Sequence, residues 1–175
     1  EEIPDDSKTS ENEWRKIVFE NGVYLGQVNE KGARHGRGVY KFKSGYTLTG
    51  TYSKNKKNGL FKEYSGYDLI FEGIYVNGKK NGKGLYVIDY QTACQYDGEF
   101  KNDLRHGYGE YCCPGEVTYR GNWAFGKKEG KGLYYYKNLE YWDGTFTNNQ
   151  FNGTGDYHFN SGNVEKITFI NGNRV

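Results

Sequence analysis

A Gly-x-Gly pair recurs at Gly36/Gly38, Gly82/Gly84, Gly107/Gly109, Gly130/Gly132 and Gly153/Gly155, and a sixth site keeps Gly59 but carries Phe61 in place of the second glycine. The first positions advance by 23, 23, 25, 23 and 23 residues. A chain with one fixed period is a stack of copies of one supersecondary unit, which excludes folds whose segments each occur once. A second glycine precedes each pair, at Gly26, Gly50, Gly73, Gly98, Gly121 and Gly144, nine residues ahead of its partner except in the first copy, where the gap is ten. Six full repeats therefore run from about Tyr24 to Gly162.

The residues flanking this upstream glycine identify the unit. Two before it stand Tyr24, Leu48, Phe71, Tyr96, Tyr119 and Trp142, and two after it stand Val28, Tyr52, Tyr75, Phe100, Trp123 and Phe146. Spacing of two places ring, glycine and ring on one face of one strand, with the glycine leaving room for a neighbouring ring against the backbone. Four residues after the first glycine of each pair come Tyr40, Glu63, Tyr86, Tyr111, Tyr134 and Tyr157, which mark a second strand of the same parity. One hairpin per repeat follows. His35, Asn58, Asn81, His106, Glu129 and Asn152, just before each pair, read as turn residues because Asn and His tolerate positive φ. Ser44-Gly45, Ser65-Gly66, Pro114-Gly115 and Ser161-Gly162 read as the return turns between repeats.

The expected fold is all-β: an elongated single-layer antiparallel meander of twelve strands, with half repeats over 14–23 and 163–175 completing a domain over 14–175. At about 4.8 Å per strand the twelve would make a twisted ribbon roughly 60 Å long. Its two outer strands carry unpaired backbone groups, an edge for self-association into a homodimer. The formal net charge is +2, but residues 1–13 hold Glu1, Glu2, Asp5, Asp6, Glu11 and Glu13 against Lys8, so this tail is acidic, is expected to be flexible, and leaves the body basic.

Tyr96-Asp97-Gly98-Glu99-Phe100-Lys101-Asn102, followed by Arg105-His106-Gly107-Tyr108-Gly109-Glu110-Tyr111, resembles the MORN repeat, the membrane occupation and recognition nexus. Phe61, Glu63 and the two extra residues near Asp89 to Ala93 depart from the pattern and put the regularity of the sheet there in question. Within the family, Asn29-Glu30-Lys31-Gly32-Ala33-Arg34-His35-Gly36 and Asn102-Asp103-Leu104-Arg105-His106-Gly107 are similar to loops of the radial spoke head proteins, axonemal scaffolds of cilia and flagella. The family resemblance implies a concave groove that takes extended or helical segments of other proteins. It also implies two further settings, a lipid-binding module and the targeting portion of a larger enzyme. The absence of an initiator Met agrees with a piece of a longer chain.

Two constellations are candidates for binding. Most of the rings are needed to pack the ribbon itself, but a one-layer sheet has no second layer to cover both faces, so part of the stripe is expected to form the partner groove: Phe71, Tyr75, Tyr96, Phe100, Tyr119, Trp123, Trp142 and Phe146. Lys54, Lys56, Lys57, Lys79, Lys80, Lys83, Lys127, Lys128 and Lys131 occupy matching loops, so stacking lines them along one edge. That edge is either a solvated guard against aggregation or a surface for anionic lipids or acidic protein segments. Nucleic acid is not expected, because the net charge is small and no reading helix is evident.

Catalysis finds no footing. Gly78 to Gly84 has a glycine spacing one short of a phosphate loop, no Gly-x-Ser-x-Gly elbow occurs, and His35, His106 and His158 fall on repeat positions. No cofactor or metal motif is present, and the expectation is a non-enzyme. Asn152-Gly153-Thr154 is a formal glycosylation triplet on a turn motif, read as chance. Cys94, Cys112 and Cys113 are odd in number and two are adjacent, which reads as free thiols in a reducing cytoplasm. The longest apolar runs, such as Ile17-Val18-Phe19, are too short to cross a bilayer.

Overall fold

A computed structural model describes residues 13–175. All fifteen strands belong to one antiparallel sheet in strict chain order, with no crossover. They are β1 (Glu13–Phe19), β2 (Gly22–Val28), β3 (Arg34–Phe42), β4 (Tyr46–Ser53), β5 (Lys56–Ser65), β6 (Asp68–Val76), β7 (Lys79–Asp89), β8 (Cys94–Lys101), β9 (Leu104–Cys112), β10 (Thr118–Ala124), β11 (Lys127–Tyr135), β12 (Tyr141–Thr147), β13 (Gln150–His158), β14 (Val164–Ile170) and β15 (Asn173–Arg174). The expected meander is what forms, and β15 is an addition to it, pairing Arg174 with Phe169. The acidic tail falls, except for Glu13, outside the described residues.

The register explains how one sheet makes a core without a second layer. Gly26 pairs with Gly38, Gly73 with Gly84, Gly98 with Gly109 and Gly121 with Gly132, and Gly144 lies against Gly155 beside a register shift. Over each glycine pair lies one ring from two residues upstream: Tyr24, Phe71, Tyr96, Tyr119 or Trp142. A Cβ added at Gly98 would meet the Tyr96 hydroxyl at 2.6 Å, inside any allowed contact. Each ring thus lies flat on backbone that only glycine can offer. Lying flat also brings the hydroxyl within reach of the carbonyl three residues on: Tyr24 donates to Gln27 (2.8 Å), Tyr96 to Glu99 (2.9 Å) and Tyr119 to Asn122 (2.8 Å). The rings then meet edge to face along the sheet, Tyr96 with Trp123 at 5.3 Å and Tyr119 with Phe146 at 4.8 Å among them, a geometry that adds to the apolar burial.

The irregular second repeat reaches the same end by exchange. Leu48 stands where the other repeats have a ring, and the ring is supplied from the opposite strand by Phe61, which pairs with Gly50 and lies over it. Phe61 is fully buried, and the sheet runs through this repeat unbroken. The extra residues after Asp89 are absorbed by a register shift between Val87 and Asp89 and a turn ending at Ala93, whose φ is 54°.

The hairpin turns lie elsewhere than expected. Positive φ occurs at both central residues of Lys54-Asn55, Asn77-Gly78, Asn102-Asp103, Phe125-Gly126, Asn148-Asn149 and Asn171-Gly172, the two-residue turn that matches strand twist. His35, Asn58, Asn81, His106, Glu129 and Asn152 instead sit inside strands. Several accept from the neighbouring turn: Asn58 Oδ1 from the Asn77 N–H at 3.3 Å, Asn81 Oδ1 from Asn102 at 3.3 Å and Glu129 Oε2 from Asn148 at 2.9 Å. The preference for Asn there reflects a repeat-to-repeat hydrogen bond. The return turns at Gly45, Gly66, Gly115 and Gly162 are left-handed glycines, as their sequence indicates.

Cys94 and Cys113 are joined by a disulfide, and Cys112 is free. This corrects the reading of three reduced thiols. Tyr96 pairs with Tyr111, so the residue two before the one faces the residue two after the other on the ring side. The argument from the cysteines for a reducing compartment therefore falls.

Candidate functional site

The eight rings expected to line an open groove are the core: none of Phe71, Tyr75, Tyr96, Phe100, Tyr119, Trp123, Trp142 and Phe146 is more than 7% exposed. The expectation assumed that a one-layer sheet leaves rings uncovered. Flattening each ring onto a glycine pair and against its neighbours covers them instead. What remains accessible on the ring face is the layer above them.

That layer is cationic. Directly across the strand pair from the ring two after the upstream glycine stands a basic residue: Lys57 opposite Tyr52, Lys80 opposite Tyr75, Arg105 opposite Phe100 and Lys128 opposite Trp123, with Arg34 opposite Val28 in the first repeat. Five cations thus recur at repeat spacing, and Phe151, opposite Phe146, closes the series. Arg34, Lys57, Arg105 and Lys128 each lie between rings of their own and the next repeat, and Lys80 lies between two rings of its own. The Lys57 Nζ is 3.8 Å from the Tyr75 centroid, and Lys80 is 4.0 Å from Phe71 and 4.7 Å from Tyr86. The Arg105 guanidinium is 5.1 Å from both Tyr96 and Trp123, and Lys128 is 4.6 Å from Tyr134. Ring faces stabilise a cation there without an acid. The backbone fixes the row as well, since the carbonyls of Arg34, Lys57, Lys80, Arg105 and Lys128 each accept from a turn N–H of the following repeat, at 2.8 to 3.0 Å.

The row is unevenly neutralised. Glu63, 4% exposed, occupies the position held by tyrosine in the other repeats. It accepts from Tyr75 Oη (2.6 Å), Tyr46 Oη (2.7 Å) and Lys57 Nζ (3.0 Å), with Lys80 Nζ at 3.9 Å. Burial by itself would raise its pKa, but the two tyrosine hydrogen bonds and the Lys57 charge outweigh that and hold the carboxyl below the ordinary range. Arg34, Arg105 and Lys128 have no carboxylate within ion-pairing distance among the described residues. Burial pushes Arg105 and Lys128 below their ordinary values, and Lys80 too despite the charge of Glu63.

The expected lysine edge divides three ways. Lys57, Lys80 and Lys128 are half-buried on the ring face; Lys83 and Lys131, paired with Glu99 and Thr145, lie on the opposite face; Lys54, Lys56, Lys79 and Lys127 are exposed at or beside hairpin turns. Counting lysines alone hid the row, because Arg34 and Arg105 belong to it and the flanking lysines do not. His35 and His106 lie within β3 and β9, and His158 stacks on Tyr141 at 4.1 Å on the opposite face. Among the described residues no group of three or more His, Cys, Asp or Glu is placed to hold a metal ion.

Comparison with known proteins agrees with this architecture. The MORN repeat family matches residues 24–45, 71–88, 96–116, 119–139 and 142–164, passing over the second repeat, where Leu48, Phe61 and Glu63 replace the usual residues. Alsin of mouse is 33% identical over 65 residues, and alsin of human likewise. These matches cover 37% of this chain but 4% of the relatives' length. Repeat by repeat, on sequence pattern and on the ring-over-glycine geometry, the chain belongs to the MORN-repeat family.

Proposed function

We propose that the chain is a non-catalytic scaffold that holds segments of partner proteins along its ring face, as a component of the radial spoke head in the axoneme of cilia or flagella. The observation that carries the interaction reading is the row of cations at repeat spacing above a closed aromatic core. MORN repeats are a non-catalytic module of protein interaction or membrane association, and the spoke-head assignment rests on the resemblance of the loops over 29–36 and 102–107. A second copy adding at the outer strand β1 is part of the same reading, since Trp14 and Val18 are exposed there.

Because the rings are core, truncating Trp123 or Phe100 would remove packing and binding together. The cations separate the two. Full-length bait carrying Arg34→Gln, Arg105→Gln and Lys128→Gln should lose axonemal proteins from a ciliated-cell extract, while bait carrying Lys83→Gln, Lys127→Gln and Lys131→Gln, matched in charge, should keep them. Equal capture by both baits would refute the reading. Membrane association is the second reading, favoured by the exposed lysines at successive hairpin turns; it predicts that Lys54→Gln, Lys56→Gln, Lys79→Gln and Lys127→Gln together weaken binding to anionic vesicles while the Arg34, Arg105 and Lys128 substitutions leave it unchanged.

A further inference from the structure

Glu63 shows what the ring face does with a carboxylate. Two tyrosine hydroxyls and two lysines converge on it, and it is buried in that cradle. Its counterparts at repeat spacing are Tyr86, Tyr111 and Tyr134. In those repeats the cations remain and the carboxylate is missing. Arg105 lies 5.4 Å from the Tyr111 centroid and Lys128 4.6 Å from Tyr134, with no acid on either. A pocket of about 290 Å³ lined by Lys80, Tyr86, Phe100, Leu104 and Arg105 opens beside the first of them. Asp103 also lines it; its Oδ1 accepts the Lys80 backbone N–H at 2.8 Å, its charge bears on Lys80, and it forms no ion pair with Arg105.

We infer that Arg105 and Lys128 are seats for carboxylates supplied by an acidic segment of a partner protein, filling in trans the place that Glu63 fills in cis. This rests on the ring face being the binding face. The spacing of the seats restricts the segment further. Cations of successive repeats are two strands apart, roughly 9.6 Å at 4.8 Å per strand. A polyproline II segment advances about 9.3 Å in three residues and returns its side chain to the same face. A β-strand covers a similar distance in three residues but turns the third side chain away. An α-helix returns a side chain to one face after seven residues, about 10.5 Å on, and so overshoots the seats by about 1 Å at each repeat, whereas the polyproline II step misses them by only about 0.3 Å; the segment that fits best is acidic at every third residue and polyproline II in form. An anionic bilayer is a poorer match, because the seats are half-buried between rings in single file, whereas a flat layer of headgroups would first meet the exposed Lys54, Lys56, Lys79 and Lys127.

The test is a fluorescence titration of the full chain with two labelled peptides of equal charge, one repeating Glu-Pro-Ser and one with the same residues and its glutamates clustered. The spaced peptide should bind about tenfold more tightly. Arg105→Gln with Lys128→Gln should cost at least about tenfold in its affinity, as loss of charge-assisted hydrogen bonds does, while Lys83→Gln with Lys131→Gln should cost less than about twofold. The reciprocal exchange Arg105→Lys with Lys128→Arg should retain most of the binding, which a collapsed ring face would not. Equal binding of the two peptides, or equal loss in the two charge-matched pairs, overturns the inference. So does binding of phosphoinositide vesicles through Arg105 and Lys128 with no binding of peptide. If the peptides fail while axonemal capture still depends on the ring face, the partner has another chemistry and the scaffold reading stands; if neither depends on it, both fall.

Discussion

Replacing Phe61 by Gly should destabilise the protein by about 3–5 kcal/mol, as deletion of a buried ring does, and adding Leu48→Tyr to that variant should recover most of the loss. Phe61 is fully buried, and an atom placed at the Cβ of Gly50 would meet its ring at 2.5 and 2.6 Å. Every other full repeat reaches the same arrangement with its ring two residues before the upstream glycine and a second glycine across the strand. The double variant restores that layout. Leu48→Tyr alone should be harmful, by about 1–3 kcal/mol, because its ring would compete with Phe61 for one space. Urea unfolding of the four proteins, read as a double-mutant cycle, measures the coupling. Losses that simply add would mean that the second repeat is not closed by one exchanged ring.

Glu63→Gln should cost about 3 kcal/mol near neutral pH, because it leaves Lys57 and Lys80 half-buried without their carboxylate. The loss should depend on pH in a defined direction. The Glu63 carboxyl is held below its ordinary range in the folded protein. Its contribution is therefore complete above the range in which an unfolded glutamate titrates, and it fades as pH falls through the lower folded value. Unfolding curves of the two proteins, well separated at neutral pH, should converge in acid. A gap that stays constant as pH falls would show that the carboxylate charge is not what Glu63 supplies.

The architecture was legible because glycine and aromatic residues are the two residue types whose spacing the unit cannot relax. The ring needs a bare backbone beneath it, and that requirement is printed as Tyr96-Asp97-Gly98 and its copies. The half repeats followed from the same count. The exposure of the ring face was less legible because the sequence reports that a ring is present, not whether its neighbours cover it. Phe71 to Phe146 were therefore assigned to a groove that they themselves fill. The cations suffered from crowding in sequence. Lys56 and Lys57 are adjacent and differ by one step of strand parity, and that step separates an exposed turn lysine from one lying on Tyr75. The hairpin turns were misplaced because Asn serves both as a left-handed turn residue and as an acceptor for a neighbouring turn, and only the register distinguishes Asn77 from Asn58. The disulfide was within reach of the same register, once Tyr96 is set against Tyr111.

The central claim, that one aromatic layer serves as core while a row of half-buried cations lies on it, is tested most directly by the reactivity of individual lysines. Brief acylation of the native protein at a pH high enough to leave all nine amines largely free, so that access and not the lowered pKa of Lys80 and Lys128 sets the rate, followed by mass spectrometry of each site, should modify Lys54, Lys56, Lys79, Lys83, Lys127 and Lys131 rapidly, and Lys57, Lys80 and Lys128 at least about tenfold more slowly, because lysines of the second group are half-buried against ring faces. Equal labelling of all nine would contradict the account, returning Lys57, Lys80 and Lys128 to an exposed lysine edge and leaving the ring face without its cations.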